Sequence, residues 1–167
     1  MKKLIVFAIA ILGFTAVSFG QKSATLSVPS SATIIAPLSV TKPADNAAGG
    51  ALKFGTIVST TVAGTVTVTT ATTPGRSVTG VTAIGTDFDN AKFTVGGQTG
   101  QTYNVALDAS VSLTGAGGDP MVCTLSKSVN NTGNTLGTFY VGGELAVAAN
   151  QGAGSYQGTF SVIVSYE

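Results

Sequence analysis

The chain of 167 residues is 44% hydrophobic and only 9% charged, with eight Lys and Arg against seven Asp and Glu. This balance excludes the basic stripe that electrostatic nucleic-acid binding needs, and the high hydrophobic content excludes a disordered chain. With no histidine and a single cysteine, the chain lacks the usual zinc and copper ligands and any nucleophile that depends on an imidazole base. We therefore expect one domain with a hydrophobic core and with no catalytic site, cofactor or metal.

The first twenty residues have the features of a signal peptide. Lys2 and Lys3 precede an apolar run that begins at Leu4, and Ser18 and Gly20 place small residues where a signal peptidase reads them. A membrane anchor is the alternative interpretation, but the run is short for a membrane span and is interrupted by polar residues. We predict that residues 1–20 are removed on export, and that a nearly neutral protein passes through the periplasm to the cell surface or the extracellular space.

A long amphipathic stretch follows over residues 24–40. Apolar side chains occupy the even positions, interrupted only by Ser30, while polar residues and prolines fill most odd positions. A single extended ribbon of this length measures about 55 Å, whereas ordinary strands measure about 17–20 Å. Two interpretations remain open: a flexible tail before a first strand that starts near Ala32, or an extension, residues 21–31, that pairs with the sheet of another molecule.

The remaining chain, residues 32–167, has the pattern of short strands throughout. Thr, Val and Ser alternate with a period of two between clusters of Gly, Asn and Asp, and no stretch sustains helical spacing. The pattern predicts an all-β domain, an immunoglobulin-like antiparallel sandwich. The predicted strands are residues 62–70, 78–84, 91–95, 103–107, 111–113, 121–125, 136–141, 144–148 and 156–166.

The last predicted strand has one apolar face. Tyr156, Phe160, Val162, Val164 and Tyr166 all occupy even positions, and the chain ends one residue later. This pattern suits β-strand addition, in which main-chain hydrogen bonds give affinity and alternate side chains fill pockets.

Three other features have an ordinary structural interpretation. Cys123 stands among apolar residues and is predicted to be a buried hydrophobe, with an intermolecular disulfide or a reactive thiol as alternatives. Asp87 and Asp89 bring two carboxylates together as a Ca²⁺ site does, but the remaining loop pattern is missing, so a turn between strands is predicted. Arg76, the sole arginine, is expected in a surface turn.

Four segments resemble a family of secreted bacterial domains described as Mat/Ecp-type fimbrial major subunits: residues 52–58, 75–80, 91–96 and 141–166. The ending is also similar to that of chaperone–usher pilins, which carry a penultimate tyrosine and a glycine fourteen residues from the end. Tyr166 and Gly154 occupy these positions, although the pilin disulfide is missing because the chain has one cysteine. The resemblance implies a subunit without its last strand, which a periplasmic chaperone first lends and the next subunit's N-terminal extension then replaces.

The sequence therefore predicts a structural subunit of a bacterial fimbria, which polymerises with copies of itself by donating residues 22–36 to a neighbour's groove. The resemblance adds a periplasmic chaperone and an outer-membrane usher as partners, and the receptor stays unidentified. The alternative is a self-contained secreted or surface domain whose loops bind a receptor or a carbohydrate. The predicted interface residues are Leu26, Val28, Ile34 and Leu38 in the donated arm, and Gly154, Phe160, Val162, Val164 and Tyr166 in the C-terminal strand.

Overall fold

The computed structural model describes residue 23 and residues 25–167, so the predicted signal peptide, residues 1–20, lies outside the described residues. The chain divides into two units, residues 1–34 and residues 35–167. The described residues of the first unit form neither helix nor strand, and all of them are exposed. Within the described residues, the second unit contains twelve strands and no helix. The strands are β1 (Ser39–Thr41), β2 (Thr56–Val58), β3 (Gly64–Val68), β4 (Arg76–Thr79), β5 (Thr82–Ile84), β6 (Ala91–Gly96), β7 (Tyr103–Leu107), β8 (Ser110–Gly115), β9 (Met121–Lys127), β10 (Gly137–Val147), β11 (Tyr156–Gln157) and β12 (Val162–Tyr166).

The strands pair in antiparallel fashion, which confirms the predicted all-β, sandwich-like fold. The main sheet has the order β1-β6-β10-β9-β8-β11, and β3 and β4 join it through β10. Two further pairs stand apart from it, β12 with β7 and β2 with β5. The strands outside the main sheet therefore form two separate pairs, and residues of β2 and β12 line the groove that is described below.

The long strand β10 organises the main sheet. Its first half pairs with β6 and its second half with β3 along one edge, while β9 covers the other edge. Gly142 and Gly143 lie where the partner of β10 changes from β6 to β3. A Cβ on Gly142 would stand 2.3 Å from the Val68 carbonyl oxygen, and a Cβ on Gly143 would stand 2.7 Å from Cys123 Sγ. Because neither position has room for a side chain, the two glycines permit one continuous strand where the sequence predicted two.

The core consists of the inward-facing residues of these strands. In β9, buried Met121, Cys123 and Leu125 alternate with exposed residues, as the period of a strand requires. Phe139 of β10 is completely buried and stacks on Phe93 of β6 with ring centroids 5.3 Å apart. Each large apolar side chain buried in this way stabilises the domain by about 1.5–3 kcal/mol.

The predicted last strand, residues 156–166, is interrupted at residues 158–161. Gly158 passes so close to β8 that a Cβ there would stand 2.5 Å from the Ser112 carbonyl oxygen. The Ser161 amide then donates to the Asp108 carboxylate at 2.7 Å. These contacts carry the chain from β8 of the main sheet, which pairs with β11, to β7, which pairs with β12.

Three smaller differences from the predicted strands have local causes. Residues 78–84 form two strands because Gly80 between them has a φ of 74°, in the left-handed region that favours glycine. The short strand β2 was not predicted, since its three residues give too short a pattern to recognise. Of the predicted ribbon over residues 24–40, Ala24 lies outside the described residues and only β1 is a strand.

Candidate functional site

An open groove of about 1280 Å³ lies beside the main sheet in the second unit. Residues 50–59, which include β2, form one wall, and residues 151–160 with Val162 form the other. The floor consists of apolar side chains from neighbouring strands of the main sheet. These are Ala91 and Phe93 of β6, Leu113 of β8, Met121 of β9, and Leu145 and Val147 of β10.

The first wall contains a strand with one unpaired edge, and the second wall leads into another. Among the described residues, β2 has a ladder only with β5, and β12 has a ladder only with β7. Of β12, only Val162 lines the groove. Unpaired edges of this kind are templates for pairing with another chain.

Hydrogen bonds between the walls close one end of the groove. Ser59 Oγ donates to the Gln151 carbonyl oxygen at 2.9 Å, and the Asn150 amide donates to the Thr60 carbonyl oxygen at 2.7 Å. The chain runs toward this end along residues 50–59 and away from it along residues 151–160, so the two walls are antiparallel. An inserted strand therefore runs antiparallel to one wall and parallel to the other.

Close backbone packing fixes the second wall near this closed end. A Cβ on Gly154 would stand 3.1 Å from the backbone nitrogen and Cα of Gly117, so the two glycine-rich loops approach each other closely. Tyr156 Oη donates to the Gly152 carbonyl oxygen at 2.7 Å and accepts a hydrogen bond from Gln151 Nε2 at 2.9 Å. The wall is thus held by its own chain and does not depend on an occupant of the groove.

The predicted C-terminal residues lie in three different places. Gly154, Phe160 and Val162 line the groove. Val164 is half-buried in β12 and packs against the core. Tyr166 lies at the opposite end of β12 from Val162, where its hydroxyl donates to the Ala36 carbonyl oxygen at 2.8 Å.

The predicted arm residues divide between the two units. Leu26, Val28 and Ile34 are 86%, 76% and 95% exposed, so each presents a large apolar side chain to solvent. Leu38 belongs to the second unit, where it is half-buried against the core. The structure therefore places Leu38 with the domain and the other three with the arm.

Sequence analysis missed the role of Arg76, which lies in β4 and is half-buried instead of exposed in a surface turn. Its guanidinium donates from Nη1 to the Phe54 carbonyl oxygen at 3.1 Å and from Nη2 to the Gly85 carbonyl oxygen at 2.6 Å, and lies 4.7 Å from the Phe88 ring centroid. The rigid planar fork thereby ties the first wall of the groove to the 85–88 segment. The contact between Arg76 and Phe54 joins residues 22 positions apart in the sequence, so no local sequence pattern predicts it.

Asp87 and Asp89, the two carboxylates considered as a calcium site, lie in the connection between β5 and β6. The sequence predicted such a turn between strands, and both side chains have structural roles there. Asp89 accepts hydrogen bonds from the Gly49 amide at 2.6 Å and from the Asn90 amide at 2.9 Å. Asp87 Oδ1 lies 3.8 Å from Lys53 Nζ at the exposed rim of the groove. Across residue 23 and residues 25–167, no three His, Cys, Asp or Glu side chains are grouped as a metal site requires.

Cys123 is a free, completely buried cysteine, as predicted for a small hydrophobe. Burial raises the pKa of its thiol to about 11. Because the thiolate is the reactive form, this environment suppresses nucleophilic and redox chemistry at neutral pH.

The described part of the chain has no helix that is both long and apolar enough to cross a membrane. Comparison with curated proteins and with solved structures gives no match. A family model described as DUF4402, a domain of unknown function, matches residues 38–166. This match spans most of the chain and covers both walls and the floor of the groove. The chain belongs to the DUF4402 family.

Proposed function

We propose that this protein is a structural subunit of a bacterial surface fimbria that assembles by donating its N-terminal arm, residues 22–36, to the groove of another copy. The observation that carries the proposal is the groove beside the main sheet. The unpaired strand β2 and the first residue of β12 border this groove, and its floor is the apolar face of the main sheet. Such a groove accepts a strand through main-chain hydrogen bonds and side-chain pockets.

The arm has the chemistry that this groove requires. Leu26, Val28 and Ile34 share one face of an extended chain because all three occupy even positions. Each is exposed in the single copy and would gain about 1.5–3 kcal/mol on complete burial. Each main-chain hydrogen bond to a wall would add about 1 kcal/mol net, against the cost of ordering the arm.

The arm is long enough to form a strand. Residues 22–36 extend over about 50 Å, whereas an ordinary strand measures about 17–20 Å. Because the arm and the groove are different surfaces of one chain, their contact is heterologous and propagates into a filament.

The same geometry supports a chaperone as a partner. An unfilled groove leaves the edge of β2 unpaired and the floor side chains of Phe93 and Leu113 only half-buried, which promotes aggregation. A periplasmic chaperone would cover the groove before assembly, and an outer-membrane usher would bring subunits together. The low charge of the chain and its high content of threonine, serine and glycine suit a building block.

Electrophoresis of the exported protein tests the proposal, because strand-exchanged polymers resist SDS without boiling. The full-length mature protein should give a ladder, and deletion of residues 22–31 should abolish it. Leu26→Lys should also abolish the ladder, whereas Ser27→Lys on the opposite face of the arm should retain it. A ladder that survives the deletion would refute arm donation.

A mixing experiment separates donor from acceptor. The deletion variant can only accept an arm, and a Phe160→Lys variant with an obstructed groove can only donate one. Neither should polymerise alone, and together they should give a single SDS-resistant dimer. A synthetic peptide of residues 22–35 should also raise the Tm of the deletion variant by mass action, and a peptide with its even and odd residues exchanged should not. Failure of both tests would favour the self-contained surface domain.

A further inference from the structure

The hydroxyl of Tyr166 connects the C-terminal strand to the point where the arm joins the domain. Tyr166 Oη donates to the Ala36 carbonyl oxygen at 2.8 Å and accepts a hydrogen bond from the Gln98 amide at 2.7 Å. The Ala36 amide donates to Gln98 Oε1 at 3.4 Å. Both backbone polar groups of Ala36 are therefore bound by its own domain, an arrangement that we call the Ala36 clasp.

The tyrosine ring is itself held firmly. A Cβ on Gly97 would stand 2.5 Å from Tyr166 Oη and 3.0 Å from Leu38 Cδ1, so both side chains pack closely over that glycine. On the other side, the C-terminal residue is anchored because Glu167 Oε1 accepts a hydrogen bond from the Gly133 amide at 2.7 Å. The Glu167 amide also donates to the Thr102 carbonyl oxygen at 3.3 Å.

Attachment to the domain continues from the clasp into the sheet. Leu38 packs against the core, and β1 begins at Ser39 opposite Gly96 of β6. On the other side of the clasp the side chain of Ile34 is 95% exposed. The boundary between free arm and bound chain thus falls between Ile34 and Ala36.

We propose that Tyr166 is a positioning residue that ends the donated arm at Ile35. Its hydroxyl holds Ala36 in the subunit's own domain, so that Ile34 is available to another copy and Leu38 is not. This inference rests on the proposed function and narrows the donated arm from residues 22–36 to residues 22–35.

The clasp also sets the length of the link between neighbouring subunits. The fourteen residues 22–35 extend over about 46 Å, of which an ordinary strand takes up about 17–20 Å. The remaining residues of the arm form the link. Without the clasp, residues 36–38 would be free to leave the domain, and the link would lengthen by about 10 Å.

Native-state amide exchange of the mature protein tests the clasp without reference to assembly. Tyr166→Phe retains the ring and removes the hydroxyl. It should accelerate exchange of the Gln98 amide, which loses its acceptor, and of the Ala36 amide about three- to ten-fold, while exchange in β9 and β10 stays unchanged. Tyr156→Phe, which removes a hydroxyl bonded near the closed end of the groove, should leave these two amides unaffected. Unchanged exchange at Gln98 and Ala36 in Tyr166→Phe would overturn the clasp.

A pair of matched variants then locates the end of the donated arm. Ile34→Ser should reduce the SDS-resistant ladder and leave the Tm of the single subunit unchanged. Leu38→Ser should lower that Tm, because it removes a side chain packed on the subunit's own core. Loss of the ladder in Leu38→Ser at an unchanged Tm would show that donation extends past the clasp and would overturn the proposed boundary. Absence of a ladder in the unmodified protein would refute the proposed function, while the exchange experiment would still decide whether the clasp exists.

Discussion

The arm and β12 have the same alternation of apolar residues but different surroundings. In the arm, Leu26 and Ile34 are almost completely exposed, whereas Val162 and Val164 of β12 are half-buried and their strand pairs with β7. An apolar residue at every second position predicts an extended chain with one face to bury. The difference between the two segments shows that this pattern does not specify which molecule supplies the partner.

The test with the largest expected effect replaces a leucine with alanine once in the buried core and once in the exposed arm. Leu145→Ala in β10, where the side chain is 1% exposed, should lower the free energy of unfolding by about 3–5 kcal/mol because it leaves a cavity in the core. Leu26→Ala, at 86% exposure, should change it by less than about 0.5 kcal/mol. Urea denaturation of the unassembled subunit measures both values. Equal effects would mean that the arm packs on its own domain.

The buried region should also have a pH dependence that the arm lacks. The Cys123 thiol has its pKa raised by burial to about 11, so the folded state retains a proton that the unfolded state loses near its ordinary value of 9. Between pH 9 and pH 11 the unfolded state therefore binds fewer protons than the folded state. The free energy of unfolding keeps its full value below about pH 9 and falls by roughly 2–3 kcal/mol toward pH 11.

The matched control for this pH dependence is Cys123→Ala. In a plot of the free energy of unfolding against pH, this variant should have a flatter slope between pH 9 and 11. Burial also raises the pKa of Tyr103, which acts in the same direction above pH 10 and should leave a residual slope. An identical slope in both proteins would contradict the assignment to Cys123.

The groove wall should respond to loss of Arg76. Arg76→Ala removes two hydrogen bonds to main-chain carbonyls and the stacking on Phe88 and should destabilise the subunit by about 1–3 kcal/mol. Arg76→Lys should recover only part of this stability, because an ammonium cannot reproduce the planar fork. Lys127→Ala removes a cation at the end of β9 and one hydrogen bond to the exposed Asn131 side chain; it serves as the control and should have a smaller effect than Arg76→Ala. Full recovery with lysine would show that only the charge matters.

The smallest expected effect distinguishes the two faces of β12. Val164→Thr places a hydroxyl on the half-buried face and should cost about 1 kcal/mol. Ile163→Thr alters a side chain that is 64% exposed and should change stability by less than about 0.5 kcal/mol. The reverse order in thermal unfolding would indicate that the outer face of β12 is covered.

The sequence predicted the all-β class and the approximate positions of most strands, because alternation and turn residues are local signals. It did not predict the continuous β10, since Gly142 and Gly143 break the apolar pattern for a reason that lies in neighbouring strands. Nor did it predict the interruption after β11, which depends on Ser112 and Asp108 about fifty residues earlier. For the candidate site, Phe160 and Val162 were identified from alternation, but the opposite wall and Arg76 depend on contacts between distant parts of the chain.

The position of the Ala36 clasp has a mechanical consequence. In a filament under tension, force along an arm reaches its own domain first at Ala36 and then at β1. The hydrogen bonds of an antiparallel ladder are perpendicular to its strands, so a pull along β1 loads its bonds to β6 in shear, and they must break together. The ladder of β1 comprises only three residue pairs, so the two hydrogen bonds that hold Ala36 are a substantial part of the resistance to this shear. Loss of that hydroxyl should therefore lower the force at which a stretched subunit begins to unfold.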